Sequence, residues 1–304
     1  MRDAFLRALG DLAQADPAVM LVNGDLGFKV LDDYIARFPD QYINAGIAEQ
    51  NMTAIACGLA LTGAKAYTYS IGNFPTLRCL EQIRNDVCYH GADVTVVSIG
   101  AGLSYGPLGM SHFATEDLAI MRALPGMTVV APSDPWQAHA LALQLYERGG
   151  PTYLRIDKSE AGLPAGPVEL GKARQVRGGD DAVIFSTGGI LGEALAAADL
   201  LAAEGAAIRV VDVHTIKPLD VAAVCEAAAA CGRVLTLEEH SVIGGLGGAI
   251  AEACVESGVA LKAFRRMGLA DLFPEIVGDQ AYLRAHLGID ARAVSAALRE
   301  MLAR

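Results

Sequence analysis

The sequence predicts an α/β protein of two doubly wound domains. Three observations carry that reading: the length, the alternation of short β-branched runs with longer Ala/Leu-rich stretches, and one break in that alternation near the middle. At roughly 100 to 200 residues per domain, 304 residues suffice for two domains, each with its own core. Strand-length runs separated by helix-length runs are the signature of βα units around a parallel sheet. In the first half, strands are expected near Val19 to Val22, Ala66 to Ser70, Val94 to Ile99, Thr128 to Ala131 and Thr152 to Ile156. Helical stretches from Asn51 to Leu61, Leu77 to Tyr89, Glu116 to Arg122 and Pro135 to Arg148 lie among them. From Ser159 to Gly179 the pattern breaks, with seven Gly and Pro residues in a polar stretch, as in an inter-domain connection. The expected division is therefore a first domain over 1–160, a linker over 161–179 and a second domain over 180–304. The second alternation runs through Ala182 to Ser186, Glu193 to Ala203, Ile208 to Val213, Leu219 to Ala230 and Arg233 to Leu237. Gly244, Gly245, Gly247 and Gly248 then open a helix. No Lys-Ser/Thr follows them, so close helix packing is a better reading than a phosphate cradle.

Composition bounds the function. The 35 acidic residues exceed the 24 basic ones, for a formal charge of −11, which disfavours a polyanion-binding surface and hence nucleic acid. Hydrophobic residues make up 53% of the chain, but no apolar run approaches the roughly 18 residues that would span a bilayer. Only 19% of residues are charged, too few to cover the surface in the usual way, which points to a buried subunit interface. The six cysteines show no Cys-x-x-Cys or paired Cys/His spacing, so they are expected to be reduced core thiols. Charges interrupt the apolar residues of Met1 to Leu9, which reads as an amphipathic helix and not as a signal peptide. A cytoplasmic location is the corresponding expectation.

The most informative stretch is Asn44-Ala45-Gly46-Ile47-Ala48-Glu49-Gln50-Asn51. A short strand ends at Gly46, and a helix of mostly small apolar residues starts near Glu49, so a carboxylate is set at the mouth of a buried helix. On its own, an acid there does no more than complement the helix dipole. The stretch, however, resembles the Gly-Ile-Ala-Glu-Gln motif of transketolases and deoxyxylulose phosphate synthases, which are thiamine diphosphate enzymes. The resemblance continues in order through Glu81-Gln82-Ile83-Arg84-Asn85, Gly109-Met110-Ser111-His112-Phe113-Ala114-Thr115-Glu116-Asp117 and Ala131-Pro132-Ser133-Asp134. In the second domain it includes Glu238-Glu239-His240-Ser241-Val242-Ile243-Gly244-Gly245.

This resemblance implies a thiamine pyrimidine-binding domain followed by a transketolase C-terminal-like domain. It gives Glu49 the task of hydrogen-bonding N1′ of the aminopyrimidine, which favours the imino form that deprotonates the cofactor; a carboxyl shielded from water suits that task. It gives His112 a place beside the substrate oxygens, where an imidazole exchanges protons near neutral pH. Asp25 corresponds to a cofactor contact, with an Asx turn as the structural alternative. Phe74 corresponds to the aromatic residue against the aminopyrimidine, with ordinary core packing as its alternative. Lys29, Arg155 and Lys158 fall where relatives hold the anionic end of the substrate.

Two departures bear on the donor. Gly100 aligns with a histidine of many transketolases, and Pro107-Leu108 with an acidic pair. A changed donor or acceptor is expected. A completed Gly-Asp-Gly, which in these enzymes helps Mg²⁺ hold the diphosphate, is also missing: Gly24-Asp25-Leu26 with Asn51 copies only its spacing. No metal ligand is assigned to this chain. The resemblance therefore implies the C-terminal subunit of a split transketolase, with thiamine diphosphate and Mg²⁺ bound with a separate diphosphate-binding subunit in an α2β2 assembly. The implied reaction transfers a two-carbon ketol unit from an anionic ketose to an aldose. The alternatives are the β subunit of a 2-oxo acid dehydrogenase and a non-catalytic interaction subunit.

Overall fold

A computed structural model describes residues 1–303. Two mixed, mainly parallel α/β sheets are flanked by helices. The chain begins with α1 (Arg2–Ala15), β1 (Val19–Asn23), α2 (Asp32–Arg37), β2 (Tyr42–Asn44), α3 (Glu49–Leu61) and β3 (Lys65–Ile71). A short α4 (Leu80–Gln82) runs on into a π-helical segment, Ile83–Cys88. Then come β4 (Val94–Ile99), α5 (Asp117–Ala123), β5 (Thr128–Val130), α6 (Pro135–Arg148) and β6 (Thr152–Ile156). The second half contains β7 (Arg174–Arg177), β8 (Ala182–Ser186), α7 (Leu191–Ala202), β9 (Ile208–Asp212), β10 (Thr215–Lys217), α8 (Val221–Cys231) and β11 (Arg233–Ser241). It ends with α9 (Leu246–Glu256), β12 (Ala263–Leu269), α10 (Gln280–His286) and α11 (Ala291–Leu302).

The first sheet has the order β10-β5-β6-β4-β3-β1-β2, and the second β12-β11-β8-β9-β7. The central strands are buried on both faces, and all six residues of β4 are buried. Continuous apolar runs such as Val94–Ile99 are what a parallel sheet covered on both sides requires. α1 buries Phe5, Ala8 and Leu9 in one cluster with Ala138, Leu141 and Leu145 of α6. At about 1.5–3 kcal/mol for each fully buried large side chain, such faces hold the helices to the sheet.

Two short strands were not expected. β7 lies inside the stretch read as a linker and pairs antiparallel with β9. β10 leaves the second half of the chain and pairs antiparallel with β5 of the first sheet, and Lys217 Nζ there donates to the carbonyl of Arg122 at 3.0 Å. One apolar cluster also joins Val22, Met52 and Val96 of the first half to Phe185, Val224 and Ile250 of the second. All six cysteines are free thiols; four are buried, while Cys88 and Cys225 are only partly so. Among the described residues, no helix is long and apolar enough to cross a membrane.

The junction of the two halves holds two buried ionisable groups with opposite behaviour. Asp212 accepts from Gln137 Nε2 at 2.8 Å and Ser133 Oγ at 3.2 Å, and burial pushes its carboxyl up to about 6. His214 is driven down to about 4, mainly by burial and then by Arg174. The stability His214 protects is complete above its ordinary value of 6.5 and is lost as pH falls toward 4. That of Asp212 is complete below its ordinary 3.8 and is lost as pH rises through about 6. His214→Gln removes only the first dependence. Urea unfolding from pH 6.5 to 4 should show the variant losing less stability than the wild type, by up to about 3 kcal/mol. Parallel curves for the two proteins would show that His214 does not titrate differently in the folded and unfolded chains.

Candidate active site

Because β1, β2, β3, β4 and β6 are mutually parallel, the loops that follow them all emerge at one edge of the first sheet. That carboxyl edge is where open α/β sheets hold ligands. Glu49 opens α3 from the loop after β2. Its side chain is only 4% exposed and accepts from Arg78 Nη1 at 2.8 Å. The Arg78 guanidinium lies 4.9 Å from the centroid of the Phe74 ring. Phe74 in turn meets the His112 ring edge-on at 5.3 Å. His112 shares a hydrogen bond through Nδ1 with Ser111 Oγ at 2.9 Å, and its ring stands 6.2 Å from that of Tyr105. The Lys158 ammonium caps the far end, 3.5 Å from the Tyr105 centroid. A continuous line of side chains thus runs from a buried acid to an exposed cation.

Two strand-end glycines make this line possible. Gly72, after β3, has φ +44, and a Cβ there would press on the carbonyl oxygen of His112. Gly100, after β4, has φ +91, and a Cβ there would stand 2.2 Å from Cδ2 and Cε2 of the Tyr105 ring, too close for both to remain in place. Both take left-handed backbone geometry that favours glycine.

The loop between Gly100 and Ala114 is held from the second half of the chain. Leu103 N–H donates to Glu239 Oε1 at 2.6 Å, and Ser104 Oγ donates to Asp157 at 2.7 Å. Gln280 Nε2 donates to both Glu239 and Asp157, and Arg284 pairs with Glu239. Burial pushes the Glu239 carboxyl up despite Arg284. Burial also opposes charge on Asp157, but Arg284, Ser104 and Gln280 outweigh it and hold that carboxyl below its ordinary value.

The remaining expected residues divide. Asp25 sits at φ +57, with its carboxylate accepting from Asn44 Nδ2 at 2.9 Å. The turn itself is closed by Asn23, whose Oδ1 accepts from Leu26 N–H at 3.1 Å. Lys29 is exposed; its backbone N–H donates to Asp32 at 3.1 Å, and the structure does not join its side chain to the line. The structure does not join Arg155 to the line. It is 1% exposed, and Nε donates to Asp117 at 2.7 Å. Its Nη2 donates to the carbonyls of Ala114 and Glu239. The side chain points into the junction, where Nε and Nη2 make these bonds. Sequence reasoning missed Arg78, Tyr105 and the Glu239–Arg284–Gln280 clamp. The signal for Arg78 was a cation four residues after Phe74, and for Tyr105 an aromatic residue within a Gly-rich loop. Among the described residues, no three His, Cys, Asp or Glu side chains converge as a metal ion would need.

The transketolase pyrimidine-binding domain matches residues 1–164, and the transketolase C-terminal domain matches 171–294. The chain is 36% identical over 308 aligned positions to the 6-deoxy-6-sulfo-D-fructose transketolase subunit SqwH of Clostridium sp. (strain MSTE9), covering 100% of this chain and 95% of that one. It is 33% identical over 301 positions to an apulose-4-phosphate transketolase subunit of Phocaeicola vulgatus, covering 96% and 94%. A solved structure described as a split gene transketolase, inactive beta4 tetramer, superposes with a TM-score of 0.88 at 36% identity, covering 99% of this chain and 97% of that chain.

The buried pairing of Arg155 with Asp117 can be checked by substitution. Arg155→Met leaves Asp117 buried without its counter-ion and should cost about 3–5 kcal/mol of stability. A variant with wild-type thermal stability and a raised substrate KM would return Arg155 to the substrate site.

Proposed function

The chain belongs to the transketolase family, and we propose that it is one subunit of a split, thiamine diphosphate-dependent transketolase that moves a two-carbon ketol unit from an anionic ketose to an aldose. The observation that carries this reading is the line from Glu49 through Arg78, Phe74, His112 and Tyr105 to Lys158 at the carboxyl edge of the sheet.

The residues suit the aminopyrimidine end of the cofactor. A buried carboxylate and an aromatic face are both in contact with one planar N–H donor, the Arg78 guanidinium. A protonated aminopyrimidine is also a planar N–H donor with a face to stack. Bound thiamine diphosphate supplies the carbon nucleophile and the electron sink. Glu49 shares a proton with N1′ of the ring, and its 4% exposure keeps water from competing for that bond. Phe74 supports the ring's face. Asp25 closes the cofactor side from the loop after β1, with its carboxylate oriented by Asn44. His112 takes and returns the proton of a substrate hydroxyl through Nε2, because Nδ1 is engaged by Ser111. Lys158 receives the anionic end, and Lys29 lies nearby in sequence to Asp25 as a second, solvent-facing cation.

The diphosphate and its Mg²⁺ are assigned to a separate subunit. Phe28 and Ile47 stand 76% and 80% exposed on the loops that carry Asp25 and Glu49, apolar surface of the kind a subunit interface covers. The split-gene relative described as an inactive beta4 tetramer supports both self-association and the need for a partner, and the assembly proposed here is α2β2. The name of one relative refers to a sulfonated ketose and that of another to a ketose phosphate, which supports an anionic sugar as donor.

The chain alone should show no ketol transfer, and mixing it with its copurified diphosphate-binding partner should restore transfer. Robust turnover by this polypeptide alone would defeat the split-enzyme reading. In the assembled enzyme, Glu49→Gln should slow hydrogen–deuterium exchange at C2 of thiamine about 100-fold or more, as expected for loss of a positioned acid–base partner. An unchanged exchange rate, followed by NMR, would remove Glu49 from this role.

A further inference from the structure

Tyr105 and Lys158 each follow a residue of one buried hydrogen-bond network. Ser104 Oγ, beside Tyr105 in the chain, donates to Asp157 Oδ1, beside Lys158, at 2.7 Å. The same hydroxyl accepts from the Lys158 backbone N–H at 3.4 Å. The contact between the Lys158 ammonium and the Tyr105 ring, 3.5 Å to the centroid, therefore depends on how residue 104 stands against residue 157. Asp157 and Glu239 are 3% and 1% exposed, and the charge of Asp157 opposes ionisation of Glu239.

Two residues of α10 keep these acids side by side. Arg284 takes one oxygen of each: Nε pairs with Glu239 Oε2, and Nη2 lies 3.9 Å from Asp157 Oδ2. The guanidinium is not theirs alone, since Nη1 lies 3.7 Å from Glu193 and Nη2 donates to Ser159 Oγ at 2.8 Å. Gln280 takes the other oxygen of each. Its Nε2 donates to Glu239 Oε1 at 2.8 Å and to Asp157 Oδ1 at 3.1 Å, with Ser104 Oγ 3.3 Å away. An amide nitrogen carries two hydrogens, and the two carboxylates use both. Without that amide each buried acid loses a donor, and only the shared Arg284 stands against their repulsion. The repulsion is eased when the end of β6 and the loop at Ser104 part, and that movement takes Lys158 off the Tyr105 ring.

We propose that Gln280 is a positioning residue of the donor site: from the second half of the chain, its amide sets Ser104 against Asp157 and so holds the Lys158 ammonium over the Tyr105 ring. This deepens the ketol-transfer reading, in which Lys158 receives the anionic end of the donor, and its consequence for donor binding rests on that reading. The placement of Lys158 does not.

The full chain alone tests the placement. With ¹³C-labelled lysine, the Lys158 side-chain NMR signal is identified by its loss in Lys158→Met. The ring current of Tyr105 should hold its ε-protons upfield of the other lysines, and Tyr105→Leu should return them. Gln280→Met keeps the bulk of the side chain and removes its donors, and Gln280→Ala removes both. Each should move the signal most of the way to its place in Tyr105→Leu. A wild-type signal at the ordinary lysine position overturns the proposal. So does a folded Gln280 variant whose signal stays in place, even with a lowered melting temperature, because that result makes Gln280 a structural residue only.

The assembled enzyme tests the consequence, with ketose donors that differ only in a terminal phosphate, sulfonate or hydroxyl. Gln280→Met should raise KM for both anionic donors about three- to tenfold, the scale of one cation–π or ionic contact, with kcat changed far less. KM for the donor ending in a hydroxyl should stay nearly unchanged. An equal rise for that neutral donor, or unchanged KM for the anionic ones beside a displaced Lys158 signal, overturns the proposal. If the wild-type assembly transfers from none of the donors, the ketol-transfer reading fails, and the Lys158 signal still decides whether Gln280 places the ammonium.

Discussion

The buried pair of Arg155 and Asp117 decides where the rest of the carboxyl edge can stand. A guanidinium taken out of water costs several kcal/mol unless its donors are met, and removing its partner costs more than the pair itself contributes. Here Nε and Nη2 are met by three segments: Asp117 of α5, the carbonyl of Ala114 at the end of the long loop, and the carbonyl of Glu239 on β11. Tyr153 on the same strand donates to Asp117 as well. Burial opposes the charge on Arg155, but Asp117 more than restores it. Fixing Ala114 fixes Gly102, because the two exchange backbone hydrogen bonds at 3.1 and 2.9 Å. The crest between them, with Tyr105 and His112, is then a short span tied at both ends.

The second half of the chain acts on the site through that loop. Glu239, Gln280 and Arg284 contact it or the strand end beside it from β11 and α10. The glycines at 244–248 belong to the same economy of buried charge: the N–H groups of Leu246 and Gly247 donate to the buried Glu238 at 2.7 and 2.8 Å. A helix N-terminus suited to an anion is here satisfied by the protein's own carboxylate. The charged residues are few, at 19%, yet Asp117, Arg155, Asp157, Asp212, Glu238, Glu239 and Arg284 all lie in the interior. The sparse charge that pointed to a subunit interface is therefore made sparser still at the surface by this internal network.

The parallel strands and the edge at which their loops converge were legible because period and run length report local structure. Glu49 was legible for a related reason, since a lone acid before a run of small apolar residues has few other places to be. β7 and β10 were hidden by their brevity and their polar residues, and by partners that lie outside any local pattern. The direction of Arg155 could not be read, because it depends on Asp117, 38 residues earlier in the chain. Alternation assigns a residue to a face of the strand, but only the tertiary partner says whether that face leads to solvent or to a buried acid. The pairing of Gly100 with Tyr105 had the same character: the absence of a side chain was visible, and what fills the space was not.

The order of charge along the line of side chains has a further physical meaning. Its acid end, Glu49, is shielded from water and answered by Arg78, and its cationic end, Lys158, is exposed, with Phe74, His112 and Tyr105 between the two cations contributing no fixed negative charge. Arg78 neutralises Glu49 while the two stay paired, so the line separates its charges only when an N–H group of a ligand takes the place of the guanidinium. On the ketol-transfer reading proposed above, an elongated ligand with an anion at one terminus and a polarisable carbonyl at the other would then have one favourable sense, its anion toward Lys158, its carbonyl toward the cofactor side and its hydroxyls beside His112. Orientation set in this way would need no polar group at Pro107 or Leu108.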